Sequence, residues 1–145
     1  MYKAALSIAF ALVSGCAPVS LLPLNEPDPN EAIVYVIRTD AAPTRCRADI
    51  RVDGQQAALL SNKSYSAFSI TAGPRRLDFR WRQCGDVPVA AIELMLQGGK
   101  VYYFAVVGQE YPAGGTILNP KFRHSANFVP LNEKSANELI NLLKE

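Results

Sequence analysis

The sequence has few of the residues, and none of the short motifs, on which common enzyme classes depend. His124 is the one histidine among 145 residues, and no Gly-x-Ser-x-Gly elbow, His-Glu-x-x-His pair or phosphate-binding glycine loop occurs. The formal net charge of +2 is also too small to indicate a nucleic-acid partner. These absences predict a protein that is not an enzyme, uses no cofactor and binds no nucleic acid.

The first residues have the composition of an export signal. Lys3 is followed by the apolar run 4–13, which is too short to span a bilayer as a helix. The run ends in the sequence VSGC, which resembles the lipobox of bacterial lipoproteins. This resemblance implies a signal peptide over residues 1–15 and lipidation of Cys16. The alternatives are an ordinary signal peptide in which Cys16 is incidental, and a permanent membrane helix.

Residues 16–30 follow as the lipidated cysteine and a segment that contains four prolines. Proline-rich chains stay extended, so this tether can hold a domain up to roughly 45 Å from a membrane surface. Ala17 follows the cysteine, and under the enterobacterial sorting rule the absence of an acidic residue there indicates the outer membrane. The expected location is therefore the bacterial cell envelope, lipid-anchored in the outer membrane and facing the periplasm.

The two remaining cysteines, Cys46 and Cys84, predict a disulfide, because thiols exported to an oxidising compartment tend to pair. They do not predict a metal site, since two cysteines and His124 do not form a spaced set of ligands. If strand alternation were unbroken, Cys46 would point inward and Cys84 outward. A turn or bulge at 83–85 would remove this conflict.

A domain over residues 31–145 is predicted from the pattern of strands and turns. Segments 48–52 and 76–82 alternate apolar and charged residues, which is typical of strands with one buried face. Further strands are expected near 65–71 and 89–96. Turn signals separate the strands at Asp53-Gly54, Ala72-Gly73-Pro74 and Gly98-Gly99.

Two other segments, 32–37 and 101–107, are apolar at every position, so their strands should be covered on both faces. The C-terminus supplies a cover, because Asn132 can cap a helix with one apolar stripe formed by Ala136, Leu139, Ile140 and Leu143. We predict a mainly β fold, an antiparallel β-sandwich of about seven to eight strands with this C-terminal α-helix packed on a sheet. A partly closed barrel is the main alternative. Residues 108–127 are expected to form a long irregular connection.

A family resemblance rests on turns and strand cores between about residues 31 and 107. The matching segments are Ile33-Val34-Tyr35 with Arg38, Val52-Asp53-Gly54, Asn62-Lys63-Ser64-Tyr65, Ala72-Gly73 and Gly99-Lys100-Val101-Tyr102-Tyr103. The pattern resembles a domain family of uncharacterised bacterial lipoproteins and is similar to PEGA-type β-sandwich domains of bacterial envelopes. The sequence departs from the family at 72–75, where the family places proline before the glycine and histidine after it. The resemblance implies a fold, and it implies no catalytic residue.

Five arginines are expected on one polar face of two strands, namely Arg47, Arg51, Arg76, Arg80 and Arg82. One interpretation is a solvated ladder of charges in which Asp49 and Asp78 interleave with them. The other is an interaction face for an anionic group, because the planar fork of arginine suits phosphates and carboxylates. The expected partners are the membrane, through the lipid anchor, and an anionic envelope component or an envelope protein.

Two classes of function remain open. The first is a non-enzymatic envelope lipoprotein that binds another component or supports an assembly. The second is a small periplasmic hydrolase or an enzyme inhibitor, for which His124 beside a carboxylate in a deep pocket would be the evidence. In the predicted polar loop, His124 is more simply a solvated side chain.

Overall fold

The structure, a computed structural model, describes residues 26–84 and 90–144. In this part of the chain eight strands precede one helix. They are β1 (Glu31–Arg38), β2 (Arg47–Val52), β3 (Gln55–Leu60), β4 (Ser64–Thr71), β5 (Gly73–Arg82), β6 (Ala90–Leu96), β7 (Lys100–Thr116), β8 (Asn119–Leu131) and α1 (Glu133–Leu142). The signal peptide predicted over 1–15, and Cys16 with it, lies outside the described residues.

The strands form two four-stranded sheets, with the order β4-β1-β7-β8 in the first sheet and β3-β2-β5-β6 in the second. Every pairing is antiparallel except that of β1 with β7, which is parallel. Each sheet has its own hydrogen-bonded ladder, and the apolar core lies between the two. The predicted β-sandwich is therefore confirmed, and the partly closed barrel is not formed.

The core follows from the alternation read in the sequence. Ala48 and Ile50 of β2 and Leu77, Phe79 and Trp81 of β5 are buried, while the charged residues between them face outward. They meet the inward side chains of the first sheet, which are Ala32, Val34, Val36, Phe104, Val106 and Phe128. Aromatic edges fill the centre, with the rings of Phe79 and Phe128 4.7 Å apart between centroids.

The outer face of the first sheet is covered by α1, as predicted. Asn132 caps the helix, because its side-chain oxygen accepts the backbone N–H of Ser135 at 2.8 Å. Ala136 and Ile140 are buried against Ile37 of β1, and the surrounding contacts come from Tyr35, Tyr65, Tyr103, Leu131, Leu139 and Leu143. Strand β1 is covered on both faces. Strand β7 is covered only over residues 102–106, since Val101 and Val107 on either side are 38% and 37% exposed.

The prediction of an irregular connection over 108–127 is wrong. Strands β7 and β8 continue as a two-stranded hairpin whose last pair is Thr116 with Asn119. Prolines and glycines did not prevent it, because a freestanding ladder has outer edges that need no N–H donor, and a register shift between Pro112 and Gly115 absorbs the glycine pair. We call residues 109–125 the arm. All residues from 109 to 123 are exposed.

The chain enters the sandwich at a fixed point. The carbonyl of Asp28 accepts the N–H groups of Glu31 and Gly99, and the carbonyl of Asn30 accepts the N–H of Ala72. A Cβ at Gly98 would collide with the carbonyl of Pro29, so this crossing requires glycine. Residues 28–30 therefore lie at the end of the sandwich opposite the arm, since β7 begins beside Gly99. The predicted tether lies outside the described residues as far as residue 25. Within residues 26–84 and 90–144, no helix is long and apolar enough to cross a membrane.

Candidate functional site

The structure places the five predicted arginines on one surface, the outer side of the second sheet, which we call the arginine face. It consists of Arg47 and Arg51 on β2 and Arg76, Arg80 and Arg82 on β5. The antiparallel register sets Arg47 opposite Arg82, while Asp49 and Asp78 stand opposite Arg80 and Arg51. The face lies on the side of the sandwich away from α1.

Asp49 is the centre of the arginine face, and it is fully buried. Its Oδ2 lies 3.3 Å from Nε of Arg80 and 3.6 Å from Nε of Arg82. In register, Leu59 of β3 flanks it on the other side. Long arginine stems cover apolar and polar groups while their heads stay in water, which is how an outward-pointing carboxylate becomes buried here. Asp49 and Asp78 do alternate with the arginines, as in the predicted charge ladder. Asp49, however, is buried and not solvated.

The other arginines divide into paired and unpaired groups. Arg76 forms an ion pair with Glu93 of β6 at 3.0 Å. Among the described residues, Arg47 and Arg51 form no ion pair with a carboxylate, although Asp78 lies opposite Arg51. Asp49, Asp78 and Glu93 are the described acids on this face, so five arginines exceed the three acids and leave a positive potential.

The Cys46–Cys84 disulfide closes the end of the arginine face, with the two Cα atoms 5.9 Å apart. Cys46 immediately precedes β2, and Cys84 lies two residues beyond the last residue of β5. The expected conflict of directions is resolved by a turn at Gln83, whose φ of 70° lies in the left-handed region. The predicted disulfide is confirmed, and it ties together the two strands that carry the arginines.

A sixth arginine was missed by the sequence analysis. Arg38 at the end of β1 is fully buried, and its guanidinium lies 4.5 Å from the centroid of the Trp81 ring. Its four hydrogen bonds go to backbone carbonyls, those of Ala41, Pro43, Cys46 and Leu60. Burial lowers the pKa of Arg38 to about 10, so it remains charged at neutral pH. Its inward direction was available from the sequence, since it shares the parity of Val34 and Val36.

Arg38 therefore holds the loop between β1 and β2 against the second sheet and is not offered to a ligand. The β2–β3 hairpin is held in a similar way. Asp53, with a φ of 49°, begins the predicted tight turn. Its carboxylate accepts the backbone N–H of Arg76 at 2.9 Å and pairs with Arg75 at 3.0 Å. The hydrogen bond from Arg76 and the charge of Arg75 lower the pKa of Asp53.

The sequence predicted a loop at His124, and this prediction is wrong. His124 lies on β8, opposite Glu110 of β7. Its Nδ1 is 3.5 Å from Oε2 of Glu110. A cavity of about 470 Å³ lies elsewhere, between the edge strands β3 and β4, and is lined by Leu60, Lys63, Tyr65 and Leu143 among others. The described part of the chain places no three His, Cys, Asp or Glu side chains where they could hold a metal ion.

Comparison with known proteins does not extend this description. No family model matches the chain, and no curated protein sequence matches it.

Proposed function

We propose that the protein is a lipid-anchored, non-enzymatic binding module of the bacterial cell envelope, with the outer membrane as its expected location. The observation that carries the proposal is the Cys46–Cys84 disulfide. It supports an oxidising compartment, and it leaves Cys16 as the third cysteine of the sequence, at the end of the segment that resembles a lipobox.

The position of the tether supports the same proposal. The chain enters the sandwich at Asp28–Asn30, beside the β6–β7 turn, so a lipid on Cys16 would hold the domain by one end. Such an attachment leaves the arginine face uncovered. An anchored domain of this kind presents a side surface to neighbouring components.

The arginine face is the proposed binding surface, and an anionic group of another envelope component is its proposed ligand. Arg47 and Arg51 lack a described carboxylate partner, while Arg80 and Arg82 are positioned by the buried Asp49. Guanidinium groups fixed in this way can donate in parallel to phosphate or carboxylate oxygens. A desolvated acid beneath them therefore serves to orient cations toward a partner.

A small hydrolase or an enzyme inhibitor is the second candidate, and one observation favours the hydrolase. His124 and Glu110 are close enough for the carboxylate to orient the imidazole, the arrangement a general base needs. The pair lies at the base of the exposed arm and not in the cavity between β3 and β4. Hydrolysis of ester substrates by the full chain, lost in His124→Gln, would favour this candidate over the binding module.

Replacement of Cys16 by Ser tests the anchor directly. We expect the wild-type chain to incorporate labelled palmitate and the Cys16→Ser variant to incorporate none, with its precursor left uncleaved at that position. Cys46→Ser/Cys84→Ser is the matched control, since it removes two thiols and leaves Cys16, and it should still be labelled. Palmitate incorporation by Cys16→Ser would refute the lipoprotein proposal. Separation of the two membranes on a sucrose gradient would then test the outer-membrane location.

A further inference from the structure

The tip of the arm exposes two adjacent aliphatic side chains. Ile117 and Leu118 are 100% and 97% exposed, and Tyr111 and Phe122 are also exposed farther up the two strands. Isolated hydrophobic residues are common on surfaces, whereas contiguous apolar surface left bare by the fold marks interaction sites. The tip is therefore a candidate docking element.

The arm also lacks a core of its own. Beyond Gly108 the ladder consists of two strands only, with all side chains from 109 to 123 exposed. Two-stranded hairpins without a covering layer are marginally stable in water. Eight residues of β7, from 109 to 116, carry the tip roughly 25 Å beyond the sandwich. A structure this long and this bare gains order when its tip is bound.

The charges of the arm indicate which occupant it suits. Lys121 and Arg123 are the charged residues nearest the tip, and the one acid of the arm, Glu110, lies at its base opposite His124. Lys121 lies two residues above the last rung of the ladder and Phe122 three, so both are within roughly 10 Å of the tip. An aliphatic end, then a cation and an aromatic ring, is the order of groups that fits acyl chains, anionic headgroups and the interface of a bilayer.

Strand addition to a second copy fits the arm less well. Each of its strands carries a proline, Pro112 on β7 and Pro120 on β8, and the ladder shifts register between Pro112 and Gly115. Prolines, bulges and charged side chains on an edge are the features by which proteins prevent edge-to-edge pairing. The edges of the arm are protected while its tip is apolar.

We propose that the arm is a membrane-docking element whose tip, Ile117 and Leu118, enters the surface of an anionic bilayer, with Lys121 and Arg123 at the headgroups. This role is independent of the arginine face and of the lipid on Cys16. The 17 residues of β7 place the tip roughly 55 Å from the point where the tether leaves. A tether that reaches up to roughly 45 Å allows the body to lie along the anchoring bilayer while the tip touches it.

The test places a fluorophore at the tip of the full chain. Leu118→Trp adds one tryptophan to a protein whose own Trp81 is buried in the core, so wild-type emission provides the background. Vesicles containing phosphatidylglycerol with brominated acyl chains quench only a tryptophan that reaches the acyl region. We expect quenching and a blue shift for Leu118→Trp. We expect neither for Leu142→Trp, the same substitution at an exposed position of α1.

A second experiment measures how much the two basic residues contribute to insertion of the tip. In the Leu118→Trp chain, Lys121→Gln and Arg123→Gln should each lower the ratio of inserted to free tips by about five-fold. All variants are compared with and without Cys16→Ser, because quenching reports the depth of the tip whether or not the chain is anchored. Failure of the anchor and failure of tip docking are thereby distinguished.

Three outcomes would overturn the proposal. Emission of Leu118→Trp that brominated lipid leaves unchanged would show that the tip does not enter a bilayer. A blue shift that grows with protein concentration in the absence of vesicles would assign the tip to a second copy. Equal quenching in neutral and anionic vesicles, unaffected by Lys121→Gln and Arg123→Gln, would remove the anionic surface from the account.

Discussion

The two outer faces of the sandwich belong to sheets of equal size, yet they are completed in different ways. On the first sheet, Ile37 and its neighbours are apolar and are buried beneath Ala136 and Ile140 of α1. On the second sheet no described element lies over the face, and arginine stems cover Asp49 instead. The first face is covered by an apolar helix. On the second face only Asp49 is covered, and the arginine head groups are exposed to solvent.

This difference shows what a buried acid contributes to an exposed surface. Paired cations on a fully solvated surface are mobile, and each pair stabilises the fold by about 1 kcal/mol or less. Asp49 is removed from water, so it holds Arg80 and Arg82 more firmly than a solvated acid would. The arginine face is thus an ordered surface.

The largest effect is expected at the disulfide, which ties the strands of the charged face. Cys46→Ala/Cys84→Ala opens a loop of 38 residues and should lower the free energy of unfolding by about 4 kcal/mol on the chain-entropy model. Urea unfolding under non-reducing conditions measures it. Alkylation of both thiols in the wild-type protein without a reductant would contradict the bridge.

The second largest loss of stability is expected from a substitution between α1 and the first sheet. Ile140→Ala removes a buried side chain between α1 and the first sheet and should cost about 2–4 kcal/mol of stability. Leu142→Ala is the matched control, because Leu142 lies on the same helix and is 64% exposed, and it should change stability by about 0.5 kcal/mol or less. Equal effects in urea unfolding would mean that α1 is not packed as described.

Substitution of the buried acid of the arginine face should lower stability by a smaller amount. Asp49→Asn removes the negative charge shared by Arg80 and Arg82, but both arginines are about half exposed and can regain water. We therefore expect a loss of about 1–2 kcal/mol. Asp78→Asn, on the same face and without a described ion pair, should have little effect. A loss for Asp78→Asn as large as that for Asp49→Asn would contradict the central role of Asp49.

Most of the fold was predictable from the sequence, because the features that determine it are local. Alternation at 48–52 and 76–82 sets which side chains enter the core, and the turn at Asp53-Gly54 sets the first hairpin. The stripe from Ala136 to Leu143 was sufficient to predict the helix and the sheet face beneath it. The arm was missed because Pro112, Gly114 and Gly115 weigh against strands in local propensity, whereas pairing between β7 and β8 decides the outcome.

The candidate site was predictable only in part. The alternation of side chains along each strand places the five arginines outward. It does not show that arginine stems bury Asp49, because that burial depends on the neighbouring strands β3 and β5. Burial of Arg38 depends on carbonyls brought from the loop 41–46 and from β3, which sequence spacing does not show. Long-range packing sets both features.

A binding measurement on the arginine face tests the central claim most directly. Arg47 and Arg51 are the residues to change, because Arg80 also supports the buried Asp49 and its loss would mix stability with binding. The charge-matched control is Lys134→Gln/Lys144→Gln, on the C-terminal segment that carries α1. Each protein is crosslinked in intact envelopes, recovered, and compared over a series of salt concentrations.

We predict that Arg47→Gln/Arg51→Gln lowers recovery of crosslinked partners at low salt by about five-fold per arginine and flattens the salt dependence of what remains. The control should retain both the recovery and the salt dependence of the wild-type protein. Recovery by Arg47→Gln/Arg51→Gln equal to wild type at every salt concentration would contradict the account, and the arginine face would then be a solvated sheet surface.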